Sequence, residues 1–290
     1  MGIIPLANLL GFATEDISLR LGNTIGSLLN ATFGNAVELI ISVVALNNGL
    51  IRVVQASILG SVLSNLLLVQ GFCFFLGGLK YSEQSFNVTA AQTSSSLLAL
   101  AMLSLLIPAA FYTSINNEEA TKGILNLSHG TALVIISIIV SISADYMVGS
   151  IEGLVDTWNI SKTFVGIVLI PIVGNAAEHV SSVTFALKNK MDLCIGVAIG
   201  SSMQIALGMT PLLVILGWIL GEPLTLFFES FETCSLVVAI LIVNYLIADG
   251  KSNWLEGAML LASYAIISMA FFFYPDDERL SVIPITPTNM

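Results

Sequence analysis

Apolar residues run almost unbroken over stretches of bilayer length, and polar residues gather in short connections. Runs free of charge occupy Val53 to Leu79, Val88 to Tyr112, Leu193 to Gly221 and Gly257 to Tyr274, each near the roughly 20 residues that a helix needs to cross a hydrocarbon core. Four further runs carry one or two charged or titratable residues: Ile25 to Gly49 around Glu38, His129 to Ala144, Thr163 to Leu187 around Glu178, and Thr233 to Ala248. The pattern predicts eight membrane-spanning helices. Ile3 to Thr14 has only 12 residues before Glu15 and Asp16 and no basic n-region. It is predicted as the end of a helix whose start is absent, which brings the hydrophobic segments to about nine.

Composition sharpens this picture. With 56% hydrophobic residues, 10% charged residues and a mean hydropathy of +0.94, a water-soluble domain is excluded and the fold class is all-α, a polytopic transmembrane helical bundle. A net charge of −10 excludes a polybasic, nucleic-acid-binding surface. The basic residues Arg52, Lys80, Lys122, Lys162, Lys188, Lys190 and Lys251 fall on alternate connections without an excess on one side, so they set no orientation. Cys73, Cys194 and Cys234 sit in apolar runs with no CxxC spacing and read as small packing residues, not as a disulfide or zinc framework.

The chain repeats itself. A shift of 140 residues superimposes Gly34, Asn35, Ala36 and Glu38 on Gly174, Asn175, Ala176 and Glu178, and the same shift superimposes Gly60 and Ser61 on Gly200 and Ser201. Each unit is a helix bearing the motif, a short basic connection, and a second apolar helix with a Gly-Ser pair. The duplication divides the chain into a first repeat at 1–115, a connecting loop at 116–126, a second repeat at 127–275 and a polar tail at 276–290. Such repeats are the usual construction of secondary transporters, whose sites lie near the bilayer midplane where the repeats meet.

The repeated element is a carboxylate inside the membrane. Asn35 and Glu38 are three apart, as are Asn175 and Glu178, so on a helix each pair projects from one face. An ionised carboxyl at the bilayer centre costs roughly 2.5–3.5 kcal/mol on insertion scales, and residues that bear this cost line pathways or bind ions. If each Glu were merely protonated and bonded to a neighbouring helix, its duplication would be unexplained. Glu38, Glu178, Asn35 and Asn175 are therefore the candidate cation ligands, with Gly34 and Gly174 beside them. Oxygen donors without Cys or a repeated His form a hard site, favouring Ca²⁺ or Mn²⁺ over Zn²⁺ or Cu⁺. Pro171, three residues before Gly174, removes a helical hydrogen bond and is expected to expose a carbonyl.

Burial and a like-charged neighbour favour the protonated carboxyl, and a bound dication favours both ionised forms. The expected pair thus carries either about two protons or one Ca²⁺. Either loaded state is nearly neutral and can be reoriented, whereas the empty dianion is costly to move. This is the coupling rule of an antiporter, with Ca²⁺ and H⁺ as transported substrates, the lipid bilayer as partner and no cofactor. Ser61, Ser64, Asn65, Ser201, Ser202 and Gln204 place further polar groups in the membrane, for support of the ligands or for helix-to-helix hydrogen bonding. His179 points about 100° away from Glu178 around the helix; a structural hydrogen bond is its expected role, with a proton relay as the alternative.

These motifs resemble a known family. GNAVEL and GNAAEH, set in NATFGNAVELI, VVQASILGSVLSNLLL, SKTFVGIVLIPIVGNAAEH and GVAIGSS, with SNWLEG near the end, are similar to the Ca²⁺/H⁺ exchangers of fungal and plant vacuoles within the cation/Ca²⁺ exchanger superfamily. The Gly-Thr/Ser-Ser-x-Pro-Glu type motif of Na⁺-driven relatives is absent from the sequence, which favours protons as counter-ion. The resemblance implies two inverted five-helix repeats after one extra helix, Glu38 and Glu178 as the ion-binding pair with Asn35 and Asn175 in the same centre, and a vacuolar or other acidic-organelle membrane.

Two departures from that family bear on competence. Its first helix and the start of its second are missing before Ile3, and one run from about Lys122 to Val155 stands where the family has two helices. Four steps then separate the helix of Glu38 from that of Glu178, an even number, which predicts that both point the same way, with Arg52 and Lys188 on one face. On that arithmetic the chain is a truncated or internally deleted, fungal-type exchanger. A non-transporting isoform or fragment competes with the antiporter reading, as does a Na⁺-coupled exchanger or cation channel. An intramembrane hydrolase using Glu178 and His179 lacks a motif such as HExxH.

Overall fold

A computed structural model describes residues 35–112 and 141–274. In chain order these form α1 (Ala36–Asn47), α2 (Ile51–Lys80), β1 (Gln84–Ser85) and α3 (Val88–Tyr112). After a helical stretch at 141–149 come α4 (Ile151–Trp158), α5 (Lys162–Gly174), α6 (Ala176–Leu187), α7 (Met191–Leu220), α8 (Ser230–Leu246), β2 (Lys251–Ser252) and α9 (Trp254–Phe272). Among the described residues, four helices are long and apolar enough to cross a membrane, and α5 with α6, bent by 58°, makes a broken fifth. The runs Val53–Leu79, Val88–Tyr112, Leu193–Gly221, Thr233–Ala248 and Gly257–Tyr274 reappear as α2, α3, α7, α8 and α9 within a few residues, the Thr163–Leu187 run is split into α5 and α6, and the Ile25–Gly49 run is described only from residue 35. Ile3–Thr14 lies outside the described residues, as does the first part of the His129–Ala144 run.

The repeat is visible in the backbone. Helix α2 contains a π-helical turn at Ser64–Val69 and α7 one at Ile205–Met209, at the 140-residue offset of the sequence. Each widened turn falls midway along a 30-residue helix, and such turns are frequent at functional positions. A third, Val165–Leu169, precedes Pro171, whose ring takes away one backbone donor.

Glycines let the helices touch. A Cβ on Gly60 would lie inside the Ile167 carbonyl and 2.6 Å from its Cα, and one on Gly166 would lie 2.6 Å from Ala56 Cβ. The backbones of α2 and α5 are therefore in direct contact, the small-residue packing by which helices associate in lipid. Pro171 has no N–H to offer the Ile167 carbonyl four residues back, and that carbonyl packs against Gly60. Gly257 of α9 similarly meets the backbone at Phe75 of α2.

The two halves run in opposite directions. Ser64 approaches His179, Gly77 faces Ala186, and Lys80 Nζ donates to the Leu187 carbonyl at 2.7 Å, so α6 lies parallel to α2. The α6–α7 connection, containing Lys188, is thus beside the end of α2, whereas the α1–α2 connection is at its start. Arg52 and Lys80, 28 residues apart, are about 42 Å apart along the helix. The expectation that Arg52 and Lys188 share a face is therefore incorrect. Its premise was one uninterrupted span from Lys122 to Val155; in the described part of that run the helix breaks at Ser150 and restarts as the short α4. The glutamate helices α1 and α6 are themselves short pieces, so counting whole spans between them misassigns direction.

Arg52 also joins the halves. Its guanidinium pairs with Glu232 (Nη1 to Oε2 3.1 Å) and with Glu229 at 3.0 Å, at the start of α8, and the Glu232 carboxylate is fully buried. Glu232 Oε2 further accepts the Glu229 backbone N–H at 3.0 Å, capping the helix. Removing one partner of a buried pair strands the other charge, at a cost of about 3–5 kcal/mol. Arg52→Ala is expected to lower the melting temperature of the solubilised protein sharply, with Arg52→Ala/Glu232→Leu recovering most of the loss.

Candidate functional site

Both motifs open a helix, and the second does so at the bend between α5 and α6. Asn35 (φ −102°, ψ 22°) and Asn175 (φ −93°, ψ 10°) occupy the N-cap positions of α1 and α6 in nearly the same non-helical conformation. Their carbonyls accept Leu39 N–H at 2.9 Å and His179 N–H at 3.0 Å. Glu38 and Glu178 follow in the first turn of each helix, where the aligned peptide dipoles favour negative charge. Broken helices presenting their N-terminal ends to a site are a recurrent feature of secondary transporters. The sequence reading placed Asn and Glu on one continuous helical face; in the structure Asn35 and Asn175 stand at the N-cap positions instead, without a side-chain cap hydrogen bond.

Hydrogen bonds connect the two motifs. Ser201 Oγ lies 3.0 and 3.1 Å from the Glu178 carboxylate oxygens and 3.0 Å from Asn35 Oδ1, while Asn35 Nδ2 donates to Gln204 Oε1 at 3.0 Å. A hydroxyl has one proton, so Ser201 shares it between the second-repeat carboxylate and the first-repeat amide. Glu38 interacts electrostatically with Glu178, and its Cγ lies 3.4 Å from where a Gly174 Cβ would stand. Each carboxylate is therefore set against the other repeat's motif. His179 Nε2 lies 3.3 Å from Ser64 Oγ, the hydrogen bond expected of it.

Several buried polar atoms here have no hydrogen-bond partner among the described residues: both carboxylate oxygens of Glu38, the Asn175 amide nitrogen, both amide atoms of Asn65 and the Ser61 hydroxyl. Leaving such groups unpaired costs about 1–3 kcal/mol each. A cluster of them is the signature of a place where something polar binds. Ser202 behaves differently, bonding back to the Ala198 carbonyl of its own helix at 2.8 Å. Gly34 lies outside the described residues.

Sequence reasoning missed one pair. Ser42 and Ser182 are buried, their hydroxyls have no partner among the described residues, and each stands one turn after its glutamate. They obey the same 140-residue offset, so extending the motif by four residues would have found them.

Comparison with known proteins places the chain. The profile of the sodium/calcium exchanger protein family matches twice, over residues 1–136 and 128–273. The chain belongs to this family. The vacuolar calcium ion transporter of Schizosaccharomyces pombe is 47% identical, covering 95% of this chain and 78% of the relative. The Ca²⁺/H⁺ antiporter of Aphanothece halophytica is 41% identical, covering 95% and 89%. Among solved structures, the Ca²⁺/H⁺ antiporter YfkE is 39% identical with a TM-score of 0.83, covering 94% of this chain and 90% of that one. An H⁺/Ca²⁺ exchanger, CAX, shares the fold at a TM-score of 0.63 and 15% identity. The alignment with the S. pombe relative spans 321 positions against 290 residues here, so that relative has residues without a counterpart in this chain. These relatives are transporters, the class that the sequence favoured over a hydrolase.

Proposed function

We propose that this exchanger trades Ca²⁺ for H⁺ at one centre built from both repeats, with Glu38 and Glu178 as charged ligands and Asn35 and Asn175 beside them. The observation that carries the reading is the Glu178–Ser201–Asn35–Gln204 chain, which ties the second carboxylate to the first motif while the Glu38 carboxylate stands buried without a partner. The names of the relatives, Ca²⁺/H⁺ antiporters and vacuolar calcium transporters, support Ca²⁺ and H⁺ as substrates and a vacuolar membrane as location. All donors are oxygens, suited to Ca²⁺ and to Mn²⁺ as second substrate. The π-helical turns midway along α2 and α7 support a site near the bilayer midplane, reached alternately from the two faces as the inverted repeats rock.

The chemistry follows from charge. A dication and two carboxylates sum to zero, as do two protons and two carboxylates, so either load crosses a low-dielectric barrier that the bare dianion does not. The test is pH-gradient-driven ⁴⁵Ca²⁺ uptake into sealed vesicles bearing the chain. Uptake should collapse with the gradient, proton flux should depend on Ca²⁺ on the opposite side, and Mn²⁺ should compete. Uptake driven by a ²²Na⁺ gradient in its place would make the counter-ion sodium.

Ser201 supplies a finer test. Ser201→Ala removes the shared hydroxyl at a charged acceptor, a loss of about 1.5–3 kcal/mol, and is expected to weaken Ca²⁺ by roughly tenfold or more. Ser202→Ala, whose hydroxyl bonds only its own helix, should leave Ca²⁺ affinity nearly unchanged. Equal effects of the two on ⁴⁵Ca²⁺ binding would contradict the arrangement.

A further inference from the structure

Two of the three cysteines meet across the repeats. Cys73 of α2 and Cys194 of α7 are both buried, and the two thiols are electrostatic neighbours. Neighbouring contacts set the same register. Gly77 faces Ala186; one turn earlier on the parallel pair stand Cys73 and Ser182, and Cys194 Sγ donates to the Ser182 carbonyl at 3.2 Å. Both cysteines therefore border the Ser182 turn of α6, where α2, α6 and α7 converge, two turns from Ser201 along α7.

The repeat indicates that packing alone does not call for them. The 140-residue shift pairs Cys73 with Leu213 and Cys194 with Val54, both fully buried aliphatic residues. One junction between the halves thus has sulfur at the positions where its symmetry mate has only hydrocarbon.

We propose that Cys73 and Cys194 are an oxidisable pair whose disulfide fastens the first repeat to the second. The oxidant is a peroxide, and hydrogen peroxide, small and uncharged, can enter an apolar site. One sulfur attacks a peroxide oxygen, the O–O bond breaks, and a sulfenic acid and water result. The second sulfur then displaces the hydroxyl, forming S–S and a second water. Two thiols and one peroxide become one disulfide and two waters, with sulfur oxidised and oxygen reduced. Because alternating access moves one repeat against the other, a covalent tie between α2 and α7 slows exchange.

The cross-link is independent of the transport reading; its consequence for exchange rests on it, and the test separates them. The full chain in vesicles is treated with hydrogen peroxide, digested without reduction, and analysed by mass spectrometry for a peptide joining Cys73 to Cys194. The linked peptide is expected, together with a loss of ⁴⁵Ca²⁺ exchange of about tenfold that dithiothreitol reverses. Cys73→Ser and Cys194→Ser should each retain exchange after peroxide, while Cys234→Ser, which changes the exposed thiol, should remain sensitive. Absence of the linked peptide from the unsubstituted chain overturns the site. A linked chain that exchanges at the full rate overturns the consequence.

Discussion

Glu38→Gln and Glu178→Gln are each expected to abolish exchange, although both variants should fold. Glutamine keeps the length and the polar end of the side chain and removes the charge, and each position is the partner of a dication in the proposed centre. Truncating one member of a buried charge interaction costs about 2–5 kcal/mol; near the middle of that range, 3 kcal/mol is a loss of Ca²⁺ affinity on the order of 10²-fold. The loss in turnover should be larger still. A site with one carboxylate carries a net +1 charge when Ca²⁺ is bound and needs only one proton when Ca²⁺ is absent, so the two loads no longer match. The check is ⁴⁵Ca²⁺ uptake beside a melting curve in detergent: uptake at background with an intact melt is the expected result. The two carboxylates occupy equivalent positions but different surroundings, Glu178 bonded to Ser201 and Glu38 without a partner among the described residues. Glu38→Gln should therefore disturb the resting structure less than Glu178→Gln does.

The second large effect falls on packing. Gly60→Ala adds one methyl group, and by helix propensity alone it should stabilise the protein by about 0.8–1 kcal/mol. The contact with Ile167 predicts the reverse. The added Cβ would occupy the space of the Ile167 carbonyl, which is backbone and cannot rotate away, so α2 and α5 must part. Overpacking a core typically costs about 1–3 kcal/mol, and separating two backbones at the crossing of the repeats places this substitution at or above the top of that range. A clear drop in melting temperature with Gly60→Ala, deepening with Gly60→Val, is expected. A rise with Gly60→Ala would show that the two helices do not touch there.

The long helices were legible because bilayer length imposes a simple rule on composition. Val53–Leu79 and Leu193–Gly221 reappear as α2 and α7 almost residue for residue. The duplicated glutamates were legible because a carboxylate in an apolar run is costly enough to stand out. The helix starts at Asn35 and Asn175 were carried by the sequence in a form that apolar periodicity hides: an N-cap residue inside a run that never turns polar. Direction was not legible, since it depends on counting spans through 113–140, which lies outside the described residues, and on knowing that α1 and α6 are short pieces. The pairing of Arg52 with Glu232, 180 residues apart, has no local signature at all, because ion pairs between distant helices depend on tertiary placement. The contact of Cys73 with Cys194 is of the same kind; each was a packing residue by its own surroundings, and only the fold brings them together.

The inverted halves also bear on competence. Repeats that pointed the same way would depart from the inverted architecture that the resemblance implies, in which one centre lies where the two repeats meet. With α2 parallel to α6 and the connections at Arg52 and Lys188 on opposite ends of the bundle, that objection to transport is removed.

Calcium binding to the purified chain in detergent, titrated by calorimetry with Glu38→Gln, Glu178→Gln and the double variant side by side, tests the central claim most directly. If the two carboxylates share one ion, the unsubstituted chain binds one calcium at this centre and either single substitution takes that one event out of the titrated range. If each single variant keeps one calcium that disappears only in the double variant, the carboxylates hold separate ions and the shared centre does not exist.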